Sequence, residues 1–367
     1  MATYELWLSR PDGRRLAMIP HWVKLRYRRR ANDVGVLGLV VPAGALPLSY
    51  YAVASRLEVW RDGVLDTETV WLIQSVARRL TLDKERLVEI GAVCANHLLA
   101  RRIVAYAASS PQATKTAVAA DNIMKAIVRE NLGSLATVAA RSIASYLSVE
   151  VDRAEGPLLS KRFSYRHVLT VLQEIAEDAG ESGTMIYFDV VAPTPSSLEF
   201  RTYKHQRGLD HSFGGAHGLI TVSPEAGTLI DVRRGYDYSQ EVTYVLAAGQ
   251  GLQSNRAWGE ASSAARAGRS PFGRRERFRD ARHVVSTSLL QSEARASLRA
   301  GQPRRIFDGI IQSNSGFRYG REWRFGDKVN AQFEGEVVAC FLDTVEVEVD
   351  QDGGERAIAL IGNKTDD

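Results

Sequence analysis

The stretch Thr344 to Ile361, TVEVEVDQDGGERAIALI, constrains the fold more than any other part of the chain. Val345, Val347 and Val349 alternate strictly with Glu346, Glu348 and Asp350. A period of two sends the valines to one face of a strand and the carboxylates to the other. Asp352, Gly353 and Gly354 supply the residues a tight turn requires, and Arg356 to Ile361 reads as the returning strand. The chain is therefore expected to end on a β module, with no catalytic domain hung after it at Asp367.

The same period recurs near the start. Val23, Leu25 and Tyr27 alternate with Lys24, Arg26 and Arg28. Arg56 to Trp60 leads into Asp62-Gly63, a hairpin signal. Val70, Leu72, Gln74 and Val76 are placed on one face of the next strand, which turns at Asp83-Lys84-Glu85 and returns through Leu87 to Ile90. This predicts a meander large enough to curl into a barrel or sandwich.

From about 92 to 197 the pattern becomes mixed. Asp121 is placed to cap a helix over Asn122–Leu132, with Gly133 as its stop. Ser164 is placed to open a second helix with the stripe Val168, Leu172, Ile175 and Ala179, ended by Gly180. Thr184 to Val191 and Ser197 to Tyr203 read as a strand pair. Strands resume after Leu229, Val242 to Ala247 being the clearest. A third helix is predicted over Leu289–Ala300, with Ser288 and Gln291 at capping-box spacing and Gly301 and Pro303 closing it.

At 367 residues the chain exceeds what one hydrophobic core normally serves. Two cysteines, Cys94 and Cys340, are too few for a disulfide framework or a four-ligand zinc site, and both are expected to be buried thiols. No apolar run reaches the ~20 residues that span a bilayer. Net charge is only +4, but arginines cluster at 26–30 and at 266–282. The second cluster, with Arg266, Arg269, Arg274, Arg275 and Arg277, has two readings: interface charge, or a path for nucleic acid held through phosphates without sequence preference.

Other constellations carry less. His205, Asp210, His211 and His217 match no zinc spacing. Gly249 and Gly251 follow a strand, but Ser254 stands where a dinucleotide loop has its third glycine. Cys94 precedes His97 by three residues, a weak nucleophile pattern. Glu346 and Glu348 lie on the outer face of a strand rather than in a pocket. No catalytic residue, cofactor or metal is assigned.

As a whole, the chain resembles the tail-hub proteins of long non-contractile-tailed phages, the siphovirus Gp37-like group, which are similar in architecture to contractile-phage baseplate hubs. The resemblance is carried, in order, by RLEVWRDGVLDTETVWLIQSV, LVEIGAVCANHLLARRIV, DNIMKAIVRENLG, VTYVLAAGQG followed by GRRERFRDAR, and REWRFGDKVNAQF with its Phe325-Gly326-Asp327. It implies a β-rich α+β chain with two β-barrel tube-type domains. The first covers 1–95, completed by 198–235. An α/β domain is inserted at 96–197. The second barrel covers 236–275 and 315–367, around a helical excursion at 276–314.

The resemblance further implies a non-enzymatic homotrimer that adapts a sixfold tail tube to a threefold tip and passes the genome. Its partners would be the distal tail ring protein, the tape-measure protein and the tip or receptor-binding proteins, with transient nonspecific contact to phage DNA. Its place would be the virion tail tip, after assembly in the host cytoplasm. Glu346 and Glu348 then become candidates for an interface toward arginines of a neighbouring subunit. A cell-wall-degrading tail enzyme, or a nonspecific DNA-binding protein using the 266–282 arginines, are the alternatives.

Overall fold

The computed structural model describes residues 2–106, 113–251, 255–282 and 284–362. The chain forms two compact units, one of Met1–Ile230 with Gly309–Asp367, the other of Asp231–Asp308.

The first unit begins with β1 (Tyr4–Ser9), β2 (Arg15–Met18), β3 (Lys24–Arg30), β4 (Val36–Pro42), β5 (Arg56–Arg61), β6 (Val64–Leu65), β7 (Trp71–Leu80) and β8 (Arg86–Cys94). The hairpin turns fall where the sequence places them. Asp62 and Gly63 have φ of 50° and 79°, and Lys84 has 62°. One expected face is interrupted. The β7–β8 register shifts between Ile73 and Ser75. The extra residue, Gln74, takes Val76 out of line with Val70 and Leu72, and from Gln74 onward β7 is exposed.

An α/β module follows, with α1 (His97–Ala100), β9 (Ala113–Ala119), α2 (Ala120–Asn131), β10 (Leu147–Val149), β11 (Leu158–Phe163), α3 (Val168–Glu181), β12 (Ile186–Thr194) and β13 (Ser197–Lys204). Strands β10, β13 and β12 form one small sheet and β9 with β11 another. Ile123, Ile127, Leu172, Ile175, Phe188 and Phe200 fill the core, which is continuous with Val70 and Ala95. Two helix starts differ from expectation. Asp121 lies inside the first turn of α2, buried, with Lys125 Nζ donating to it at 3.3 Å, so it is a core ion-pair partner rather than a cap. The stripe of α3 is as predicted, but the helix starts at Val168, after His167, rather than at Ser164.

The chain then runs through β14 (Thr221–Val222) and β15 (Leu229–Asp237) into the second unit. That unit holds β16 (Tyr244–Ala248), β17 (Trp258–Ser262), α4 (Ala264–Ala267), β18 (Glu276–Asp280) and α5 (Thr287–Ala300). β16 lies between antiparallel β17 and parallel β18. α5 covers one face, burying Leu290 and Ala294 against Val245 and Ala247. Its N-cap position is Ser286, two residues before the expected Ser288. The strands at 244–262 and the helix therefore belong to one compact unit, not to a barrel and a separate excursion.

β19 (Arg304–Gln312) leads back, followed by β20 (Lys328–Phe333), β21 (Glu336–Phe341), β22 (Thr344–Asp350) and β23 (Glu355–Ile361). The terminal hairpin is as the alternation requires: Val345, Val347 and Val349 are fully buried, and Gly353 has φ of 80°. Its neighbour is not what the sequence indicates. β22 pairs antiparallel with β3, placing Val347 beside Tyr27 and Glu346 beside Arg28. The sheet thus runs β19-β23-β22-β3-β4-β8-β7-β5-β1-β2 as one path. Strands β22 and β23 thus share a sheet with the strands of 1–95, while β20 and β21 form a separate sheet with β14, because periodicity fixes which face is buried but not which strand lies alongside. The ladders trace no closed barrel among the described residues. The sheet nevertheless curls, for Glu355 of β23 accepts bonds from Tyr4 of β1 (2.5 Å) and from Nε and Nη2 of Arg61 on β5 (2.9 and 3.0 Å).

Candidate functional site

The arginine run on β3 divides by parity. Lys24, Arg26 and Arg28 point outward, while Arg29 shares the inner face with Leu25 and Tyr27 and is fully buried. Its Nη2 donates to both oxygens of Asp189 on β12, at 2.8 and 2.7 Å. Arg207 Nε donates to the same carboxylate at 2.8 Å. Arg29 Nε and Nη1 have no hydrogen-bond partner among the described residues, and the guanidinium lies 5.1 Å from the Phe325 ring centroid, with Arg207 at 4.8 Å. Burial pushes the Asp189 carboxyl up, but the two guanidiniums outweigh it and hold the group below the usual carboxylate range. This node ties the α/β module to the main sheet.

The Phe325-Gly326-Asp327 motif fastens the segment after β13. Asp327 Oδ1 accepts from Leu209 N and Oδ2 from Arg324 N, both at 2.8 Å. Gly208 N donates to Gly326 O at 2.7 Å, Gly326 N donates to Leu342 O at 3.0 Å, and Leu342 N donates to Asp327 O at 2.8 Å. A third fastener is Asp66, which accepts from Tyr27 at 2.5 Å and from Tyr319 at 3.1 Å. Burial raises the Asp66 pKa despite these donors.

Glu346 and Glu348, expected to face another subunit, are matched within the chain. Lys24 Nζ lies 2.5 Å from Glu348, Arg26 lies 3.5 Å from Glu346, and Arg28 also pairs with Glu346. The bond from Lys24 lowers the Glu348 pKa. The complementary charges sit on β3, the strand that the register places directly opposite.

The 266–282 arginines lie in the second unit, most of them in defined local contacts. Arg266 donates to Gly301 O at 3.0 Å and Leu298 O at 3.2 Å, satisfying carbonyls at the end of α5. Arg269 and Arg275 converge on Glu241, at 3.8 and 3.4 Å. Arg274 pairs with Glu276 at 2.5 Å and lies 4.2 Å from the Tyr244 ring centroid. Arg277 on β18 is opposite Val245, on the side of the sheet that carries α5.

The weaker sequence candidates acquire structural roles. Cys94 Sγ accepts from Gly35 N at 3.0 Å, and burial raises the thiol, opposite to what a nucleophile needs. Gly249 leaves no room for a side chain beside Val284 and Leu290. Ser254 lies outside the described residues. The His211 and His217 rings are 5.6 Å apart, His211 Nδ1 is 2.6 Å from Gly218 O, and Asp210 accepts from Ser212. Among the described residues no group of three His, Cys, Asp or Glu side chains is arranged to hold a metal ion. Parity marks Arg29 as an inner residue, and Asp189 is the lone acid in the apolar run IYFDVVA; those were the available signals for the buried node.

This architecture is that of phage tail proteins. It matches the tail protein from Neisseria meningitidis MC58 with a TM-score of 0.58 at 12% identity, covering 98% of this chain and 97% of that one. It matches the 43 kDa tail protein of prophage MuSo2 from Shewanella oneidensis with a TM-score of 0.59 at 11% identity, over 98% of each chain. Prophage tail protein gp18 from Listeria monocytogenes EGD-e gives 0.54 at 10% identity, over 98% and 94%. The chain belongs to the Siphovirus ReqiPepy6 Gp37-like protein family, whose model matches residues 3–363. No curated protein shows a matching sequence.

Proposed function

We propose that this chain is a structural hub of a phage tail tip, acting by assembly rather than catalysis. Three copies form a ring that joins the sixfold tube to a threefold tip and lets the genome through. The family match over residues 3–363 carries the reading. The main sheet supports it. The outer half of β7, from Gln74, pairs with β8 along one edge, and its other edge has no partner strand among the described residues. Such an edge accepts a strand from a second copy. The distal tail ring, tape-measure and tip or receptor-binding proteins are its neighbours in this reading. DNA contact is transient, because most arginines of the 266–282 segment already hold partners in their own unit.

The test is mass in solution and low-resolution imaging. The expected result is a threefold ring of about three times 40.5 kDa, also found in purified virions. A stable monomer at high concentration, absent from virions, refutes the proposal.

A further inference from the structure

Each unit leaves a strand edge open. In the first unit, β7 pairs with β5 only at Trp71 and Leu72. From Gln74 to Leu80 its backbone meets β8 on one side and no strand on the other among the described residues. Val76, Arg78 and Leu80 lie opposite Ile90, Val88 and Arg86 and share their face. Val88 and Ile90 are buried there, whereas Val76 is 38% and Leu80 66% exposed. This half-strand overhangs the core with its edge and its apolar side chains unmet. In the second unit, β17 pairs with β16 alone, in the order β17-β16-β18. Gly259 and Ala261 face α5, and alternation turns Trp258, Glu260 and Ser262 the other way, all three exposed. A groove of about 540 Å³ lies beside the strand, between residues 255–260 and Thr287 and Gln291 of α5. Open edges of this kind present unpaired N–H and C=O groups, which select an extended strand as occupant.

Side chains then select which strand. Arg79 is taken by Glu89 at 2.9 Å, but Arg78 has no ion pair among the described residues. It stands between Val76 and Leu80, where it bars any strand that brings no acid to meet it. On β17, Glu260 accepts from the neutral Tyr244 hydroxyl at 2.8 Å and has no cationic partner among the described residues. The acids of β18, the opposite edge of that sheet, are already held: Glu276 by Arg274, and Asp280 by Arg256 and Arg282. β2, at one end of the main sheet, carries no acid at all. An antiparallel register that sets Arg78 opposite Glu260 also sets Leu80 opposite Trp258 and Ala77 opposite Ala261. It joins the two most exposed apolar side chains of these edges, Leu80 at 66% and Trp258 at 57%. Arg79 falls opposite Gly259, which has no side chain to obstruct it.

We infer that β7 of one copy adds to the free edge of β17 in the next, with Arg78 against Glu260. The contact uses different surfaces on its two sides, so it is head-to-tail, the kind that builds rings. It rests on the ring reading above and names the strands that reading leaves open. The test uses the full chain and its assembly in sedimentation. Arg78→Glu and Glu260→Arg, each alone, raise the concentration needed for assembly at least roughly tenfold, because like charges then meet in the ladder. The two reversals in one chain restore assembly. Both residues are exposed, and unchanged melting points verify the variants. In a second measurement, Arg78→Cys and Glu260→Cys chains are co-assembled and treated with a short bismaleimide; the native cysteines are buried. The mixture is joined into dimers and neither chain alone is. A wild-type ring unaffected by both single reversals, or a double variant no better than the singles, overturns this inference and leaves the ring reading standing. Arg78→Cys chains that join to one another overturn it in favour of β7 pairing with itself. A wild-type monomer at high concentration overturns both.

Discussion

Replacing Asp189 with asparagine tests the central node directly. The substitution keeps the shape of the side chain and removes its charge, leaving Arg29 buried without a counter-ion and Arg207 with only Glu68, at 3.2 Å. Breaking a buried pair from one side costs about 3–5 kcal/mol. One amide oxygen still accepts a hydrogen bond, so the lower figure, about 3 kcal/mol, applies. The first unit, Met1–Ile230 with Gly309–Asp367, has about 290 residues, and its unfolding entropy is then about 0.6 kcal/mol/K. The melting temperature should therefore fall by about 5 °C in calorimetry at neutral pH. Arg29→Met should cost a similar amount, and the double variant clearly less than the two together, because the pair is lost only once. The Asp189 pKa is held below its ordinary 3.8. The stability it adds is therefore complete above that value and is lost as pH falls through the lower folded value. The gap between wild type and Asp189→Asn should be full at pH 5 and close below pH 4. Asp66, shifted the other way, is common to both proteins and cancels in the difference. A change under about 1 °C, or a gap independent of pH, would refute the reasoning.

Two further substitutions probe neighbouring features. In Gly208→Ala the new Cβ would fall on Asp327 Oδ1 and 2.7 Å from Asp327 N and Gly326 C, where backbone cannot swing aside; a loss of about 1–3 kcal/mol is expected by calorimetry. Gly38→Ala, with nothing within 4 Å, is the neutral control. Glu346→Lys with Glu348→Lys sets like charges opposite Lys24, Arg26 and Arg28 and should cost about 1–2 kcal/mol, partly restored by salt, with oligomer mass unchanged. An unchanged melting point with a lost oligomer would place these carboxylates at a subunit boundary instead.

What the sequence disclosed was local. Alternation located β3 and β22 and sorted their residues by face, and glycines marked the turns at Gly63 and Gly353. Pairing between β22 and β3 was hidden, since every strand with the same alternation presents the same edge. Asp121 looked like a cap because capping and first-turn positions favour the same residue types, and only packing of Lys125 distinguishes them. Arg29 was submerged in a basic run that reads as surface charge, although its parity with Leu25 and Tyr27 marks it as inner. The arginines at 266–282 were visible as charge, but their carbonyl and carboxylate partners lie elsewhere in their own unit and leave no trace in local spacing.

The register that joins Lys24 to Asp350 also has a consequence in time. At about 5–20 residues per second, β22 leaves the ribosome roughly 15–60 s after β3. Until then β3 exposes a basic, half-apolar edge with no partner. A contact of such sequence separation makes folding slow and places sheet completion near the end of synthesis. A chain cut short before β22 keeps its arginine edge bare and cannot form the complete sheet.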